Sequence, residues 1–153
     1  MSIFPHLKSI VGRRLALGSL GNLVSAASGA EVDITPKCAD ASITIGAENT
    51  NVRAITIQLK DANGADIDYV ENFEIHVFAN AARTAYATGG STGVAIGTDG
   101  ALLAVVAKKI FKCTSEADGD WDGTWTDTGT ESVALGILLP TGRMVMSEAF
   151  ANT

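Results

Sequence analysis

The chain has 153 residues, enough for one domain of ordinary size and too few for two. Hydrophobic residues make up 46% of it and charged residues only 18%, against roughly 25% in an average soluble domain, and a surface so poor in charge hints at self-association. The net charge of −6 comes from an acidic body that would repel a phosphate backbone, so direct binding of nucleic acid is not expected.

The first 30 residues differ from the rest in charge. They hold three bases and no acid, whereas residues 31–153 hold 8 bases against 17 acids. Apolar side chains recur at helical spacing over residues 4–17, and Gly, Ser and Ala dominate residues 18–29. We therefore expect an extended or short-helical arm that anchors an acidic partner surface, with a flexible solvated tail as the alternative. The residues expected to bind the partner are Phe4, Leu7, Lys8, Ile10, Val11, Arg13, Arg14 and Leu15.

The arm also bears on localisation. Arg13 and Arg14 precede a mildly apolar stretch, as in a twin-arginine export signal. Gly18, Gly21 and Asn22 interrupt that stretch, so export is the less favoured interpretation. No segment approaches the ~20 uninterrupted apolar residues of a membrane span, and a membrane partner is not expected.

After residue 31 the apolar residues recur with a period of two. The alternation is clearest in residues 55–59, 73–77 and 133–139, which predicts three half-buried strands lining a shared core. Residues 102–107 form a continuously apolar run, and turn residues such as Asn63-Gly64 separate the segments. About eight short strands without a helix predict an all-β, immunoglobulin-like antiparallel β-sandwich. The predicted domains are the arm, residues 1–30, and the sandwich, residues 31–153.

Cys38 and Cys113 are the two cysteines of the chain. A pair so far apart in sequence bridges two sheets in some secreted sandwiches, and in other proteins it is two small buried hydrophobes. Cys113 follows the apolar Ile110 and Phe111, which favours two free buried thiols.

An acidic motif follows in the second half of the chain. Asp118, Asp120 and Asp122 open a D-x-D-x-D-G pattern, the beginning of a calcium loop. The twelfth position is Gly129 rather than a bidentate carboxylate, and Glu131 comes two residues late. A turn followed by an acidic edge strand is the favoured interpretation, so these three residues are weak metal candidates and no cofactor is expected.

The same segment carries Trp121 and Trp125, two candidates for a surface aromatic site. They could form a platform for sugar or nucleic acid, or anchor an interface. Packing of at least one in the core is the favoured alternative. His6 and His76 have no neighbouring Ser or Cys that would indicate a nucleophile and its base, and the chain is not expected to be an enzyme.

Four segments together resemble the immunoglobulin-like modules of tailed-phage virion proteins. They are residues 51–64, 93–100 and 115–120, and then residues 138–143 with Ser147, in the same order as in that family. The resemblance covers roughly residues 48–150. Trp121, Trp125 and Gly123 depart from it, since plainer aliphatic residues are expected there.

The resemblance implies a structural protein without catalytic residues. Its expected role is capsid decoration, binding the major capsid protein or other virion proteins through the arm and one face of the sandwich. A tail, collar or neck protein is one alternative, and an exported module that binds a glycan or a host surface is another. The expected state is a homo-oligomer in a virion assembled in the host cytoplasm.

Overall fold

The computed structural model describes residues 38–153 in full. Before them it describes the backbone of three short strands: β1 (Leu15–Leu17), β2 (Leu23–Ser25) and β3 (Glu31–Val32). The chain divides by its internal contacts into Met1–Pro36 and Lys37–Thr153. This division comes after Pro36, later in the chain than the boundary expected at residue 30.

The three N-terminal strands form a small antiparallel sheet with β2 in the middle. Its register pairs Ala16 with Val24 and Leu23 with Val32. Of the two forms expected for the arm, residues 15–17 adopt the extended one rather than the helical one, and a second strand lies within the segment rich in Gly, Ser and Ala. The other arm residues expected to bind a partner lie outside the described part of the chain: Phe4, Leu7, Lys8, Ile10, Val11, Arg13 and Arg14.

Nine strands build the second unit. They are β4 (Asp40–Ile45), β5 (Val52–Lys60), β6 (Asn72–Phe78), β7 (Gly93–Ile96), β8 (Ala101–Val106), β9 (Ile110–Thr114), β10 (Asp120–Thr126), β11 (Ala134–Leu138) and β12 (Met144–Met146). One sheet has the order β4-β5-β10-β7 and the other has the order β12-β11-β6-β9-β8. All pairs are antiparallel, and the two sheets form the predicted immunoglobulin-like sandwich.

The core between the sheets confirms the period-two prediction. The alternating residues of all three predicted strands belong to one buried cluster, in which Ile57 and Leu135 are fully buried. Polar side chains of the same strands point away from it, because successive residues of a strand face opposite sides. Among the residues described, no helix has the length and apolarity needed to cross a membrane.

Packing of the core explains why position 123 is a glycine. Trp121, Gly123 and Trp125 share the core face of β10, and both indole rings are fully buried. A Cβ atom added to Gly123 would collide with the Trp121 ring, whose Cζ3 would lie at 2.6 Å, and would meet the Ala95 carbonyl oxygen at 2.8 Å. The departure from plain aliphatic residues noted in the sequence thus has a packing explanation: Gly123 has no side chain, and the large Trp121 ring occupies the space.

This arrangement predicts the effect of the smallest added side chain. We expect Gly123→Ala to lower the free energy of unfolding by about 1–3 kcal/mol, because the buried ring must move in a packed core. Gly46→Ala is the matched control, since its added Cβ would find Ala54 Cβ at an ordinary 3.4 Å. Equilibrium denaturation in urea measures both variants, and equal stabilities would contradict the packing role of Gly123.

Truncation of a central core residue should be costly. We expect Ile57→Ala to destabilise the protein by about 2–5 kcal/mol through lost burial and the cavity left behind. Val70→Ala removes methyl groups from a side chain that is 55% exposed, and we expect a change of about 0.5 kcal/mol or less. The same urea titrations compare the two variants. A similar loss of stability in both variants would mean that burial of Ile57 contributes no more to stability than the exposed side chain does.

Candidate functional site

Neither tryptophan is available as a surface aromatic site. Trp121 and Trp125 are 0% exposed, and each makes an edge-to-face contact with a phenyl ring, Trp121 with Phe73 and Trp125 with Phe150. The interpretation as core residues is confirmed for both. The surface alternative is wrong, because alternation places both rings on the side of β10 that faces the second sheet.

The carboxylates that lie close together are not the three that the acidic motif predicted. Carboxylate oxygens of Asp99, Asp120 and Asp122 lie within 4.8 Å of one another. Asp118 is not in this group, since it caps its own turn by accepting a hydrogen bond from the Asp120 N–H at 3.3 Å. The pairing of β10 with β7 places the turn that follows β7 beside β10, and Asp99 belongs to that turn.

Hydrogen bonds from neutral donors hold the cluster together. The single proton of the Thr98 hydroxyl is shared between an Asp99 oxygen at 3.1 Å and an Asp122 oxygen at 3.3 Å, and Thr56 donates to the other oxygen of Asp122 at 2.8 Å. Burial raises the pKa of Asp120, and the charges of Asp122, Asp118 and Asp99 raise it further, against a hydrogen bond from the Trp121 N–H. The cluster therefore accumulates negative charge that is only partly compensated.

Oxygen ligands of this kind suit a hard cation, but a calcium ion takes 6–8 of them. Two of the three, Asp99 and Asp120, line an open depression of about 410 Å³ together with Asp68, Glu116 and Asp118. Their arrangement is that of an acidic surface at one end of the sandwich, and by itself it identifies no ion.

The two cysteines are free and buried. Burial raises the pKa of Cys38 to about 11 and that of Cys113 to about 12. Both thiols thus stay protonated at neutral pH, and a thiol reacts as a nucleophile only after it loses its proton.

His76 alternates with the core residues of β6 and so lies on the outer face of the five-stranded sheet, but it is buried. Its Nδ1 is 3.0 Å from the Tyr86 hydroxyl and its Nε2 is 3.1 Å from the Glu74 carboxylate. Phe78 stacks on Tyr86 with ring centroids 5.0 Å apart, and His76 stacks on both. Local aromatic packing accounts for this histidine, since both ring nitrogens have partners within the same cluster.

The exposed apolar surface lies elsewhere, on β8. Leu103 is 66% exposed, Val105 53% and Val106 44%. β8 is the last strand of its sheet, and it contacts β7, the last strand of the other sheet, where Ile96 is also exposed. We call the apolar side chains Ile96, Leu103, Val105 and Val106 the β8 edge. Monomeric proteins seldom leave several large apolar side chains together on an edge strand.

Opposite charges flank the β8 edge. Asp99 comes two residues before β8, and Glu116 accepts a hydrogen bond there from the Gly100 N–H at 3.2 Å. After β8 the chain turns through Lys108 and Lys109. The strand itself, Ala101–Val106, carries no charge.

Sequence reasoning missed the exposure of β8. A continuous apolar run is typical of a strand buried on both faces, whereas here only Leu102 is partly buried and packs against the core. The signal that could have identified it is the low charge of the whole chain, which hints at association without saying where.

No protein-family model matches the sequence, and no curated protein does either. Among solved structures, a cohesin module from a family 33 glycoside hydrolase of Clostridium perfringens ATCC13124 is similar. It is 12% identical, with a TM-score of 0.39, and the alignment covers 76% of this chain and 94% of that module. A likeness at this level carries no conclusion about function.

The acidic cluster makes a prediction about pH. The pKa of Asp120 in the folded protein lies above its ordinary value of 3.8, so the folded state binds this proton more tightly than the unfolded state. Stability is therefore lost as the pH rises above that value. We expect Asp120→Asn to melt at a higher temperature than the wild type at pH 7, with the difference shrinking as the pH falls towards 3.8.

Calorimetry across this pH range measures the effect. Glu148→Gln, a substitution outside the cluster, should change the melting temperature little at any pH. A lower melting temperature for Asp120→Asn at pH 7 would contradict the conclusion that burial and the neighbouring carboxylates disfavour the ionised form of Asp120.

Proposed function

We propose that this protein is a non-enzymatic building block of a protein assembly and that the β8 edge is a surface through which it binds protein. The observation that carries the proposal is the exposure of Leu103, Val105 and Val106 on an uncharged edge strand. Burial of such side chains stabilises a contact by roughly 1.5–3 kcal/mol each when the interface excludes water. Edge strands also offer unpaired backbone N–H and C=O groups to a partner.

The chemistry of the described residues supports a role without catalysis. The thiols of Cys38 and Cys113 are buried and protonated, and His76 is enclosed between Glu74 and Tyr86. A nucleophile must be activated and must reach its substrate. None of these three residues combines activation with access.

Within this class we propose a virion structural protein, first of all a capsid decoration protein. The support is the resemblance to tailed-phage modules. Its last segment forms the turn of the β11–β12 hairpin, as the L-P-x-G turn of that family does, whereas the other three segments lead from one sheet to the other. Free buried cysteines suit assembly in a reducing cytoplasm. The basic arm remains a proposed second attachment to the capsid lattice.

The glycan-binding alternative has lost its main support. It relied on Trp121 and Trp125 as exposed aromatic side chains, and both are fully buried. No other described feature favours it over the assembly role.

The test is binding of the full chain to undecorated phage heads, measured by co-sedimentation. We expect Leu103→Lys to weaken attachment by about tenfold or more, because an apolar anchor is lost and a charge must be desolvated. Val70→Lys is the control, since it places the same charge on another exposed apolar side chain. If Leu103→Lys binds as tightly as the wild type, the β8 edge is not the attachment surface.

A further inference from the structure

We infer that the β8 edge binds a second copy of this chain, with the two β8 strands paired antiparallel about a twofold axis near Ala104. The inference rests on the proposed function and names the partner at that surface. The pair would join two five-stranded sheets into one continuous sheet.

The strand is suited to such pairing. β8 pairs with β9 on one side, and among the described residues no strand pairs with its other side. Natural edge strands are usually protected by charged residues or proline, and Ala101–Val106 contains neither. A bulge between Ala104 and Val106 is the one feature of the strand that opposes pairing, and Val105 and Val106 beside it are exposed. The exposed apolar side chains stand on the faces of the sheet beside this free edge, where side chains of an added strand would contact them.

The charges at the two ends of β8 select the orientation. The acidic end holds Asp99 and Glu116, and the basic end holds Lys109 and also Lys108, whose ammonium donates to the carbonyl oxygens of residues 90 and 91. Five residue steps separate Ala101 from Val106, which is about 17 Å in a strand. Antiparallel pairing of two copies places the basic turn of each beside the acidic end of the other. Parallel pairing would place acid beside acid and lysine beside lysine.

The charges at the two ends of β8 also indicate which strand can bind there. A strand that fits this edge must be apolar in its middle, with a positive end opposite Asp99 and a negative end opposite Lys109. The chain supplies such a strand itself, and a twofold axis makes every favourable contact twice. With the axis at Ala104, Leu103 of one copy lies opposite Val105 of the other, and the smallest side chain lies at the centre.

The first measurement is sedimentation equilibrium of the full chain over a wide range of concentration. We expect a reversible dimer for the wild type and a monomer for Leu103→Lys, with a dissociation constant raised at least about tenfold. Val70→Lys should dimerise like the wild type. A wild type that is monomeric throughout, or a dimer unaffected by Leu103→Lys, overturns the inference.

The second measurement tests the orientation by charge reversal. We expect Lys109→Glu alone and Asp99→Lys alone each to weaken the dimer, since each places like charges together at both ends. The double variant should recover most of the lost affinity, because the attraction is restored with its signs exchanged. Additive losses in the double variant would contradict antiparallel pairing.

The two experiments distinguish a failure of the self-pairing from a failure of the proposed function. If the purified chain is monomeric but Leu103→Lys still loses its attachment to phage heads, the β8 edge binds another virion protein. In that case the self-pairing is wrong and the proposed function stands. If the chain dimerises through β8 but Leu103→Lys attaches to heads normally, the self-pairing stands and the attachment surface lies elsewhere.

Discussion

Trp121 connects the core of the sandwich to the β8 edge, the proposed partner surface. The ring packs edge-to-face on Phe73 of the opposite sheet, with centroids 6.2 Å apart. Its Nε1 donates a hydrogen bond to the Ala101 carbonyl oxygen at 3.1 Å, at the first residue of β8. Gly123 leaves the space that the ring needs, and Gly100 lies so close to the ring that a side chain would not fit there either. One buried residue thus sets the distance between the sheets and the position of β8.

The two sides of the sandwich are closed very differently. On one side β4 contacts β12, and the C-terminal residues are held beside the start of β5. There Arg53 donates hydrogen bonds to the Asn152 side chain at 3.1 Å and to the Ala151 carbonyl oxygen at 2.7 Å. On the other side β7 and β8 meet with apolar side chains exposed. Polar contacts secure the first side, whereas the second leaves an edge free for the added strand that we propose.

Alternation in the sequence was enough to predict the strands that face both a core and solvent. Residues 55–59 are the clearest case, because each apolar side chain is buried and its neighbours are not. Alternation could not predict the exposure of β8, because all its residues are apolar and their exposure depends on which strands lie beside them. It also failed at the acidic cluster, because Asp99 joins Asp120 only through the pairing of β10 with β7. Such contacts between distant segments have no local signature in the sequence.

The acidic cluster and the β8 edge are connected through charge. The raised pKa of Asp120 means that ionisation of this carboxyl opposes folding of the single chain. Thr98 and Thr56 supply hydrogen bonds but no positive charge. A cationic neighbour would relieve the repulsion, and in the proposed pair the Lys108–Lys109 turn of the second copy lies at this end of β8. Charge that destabilises the single chain would then stabilise the pair, which favours the symmetric complex over both the monomer and a parallel arrangement.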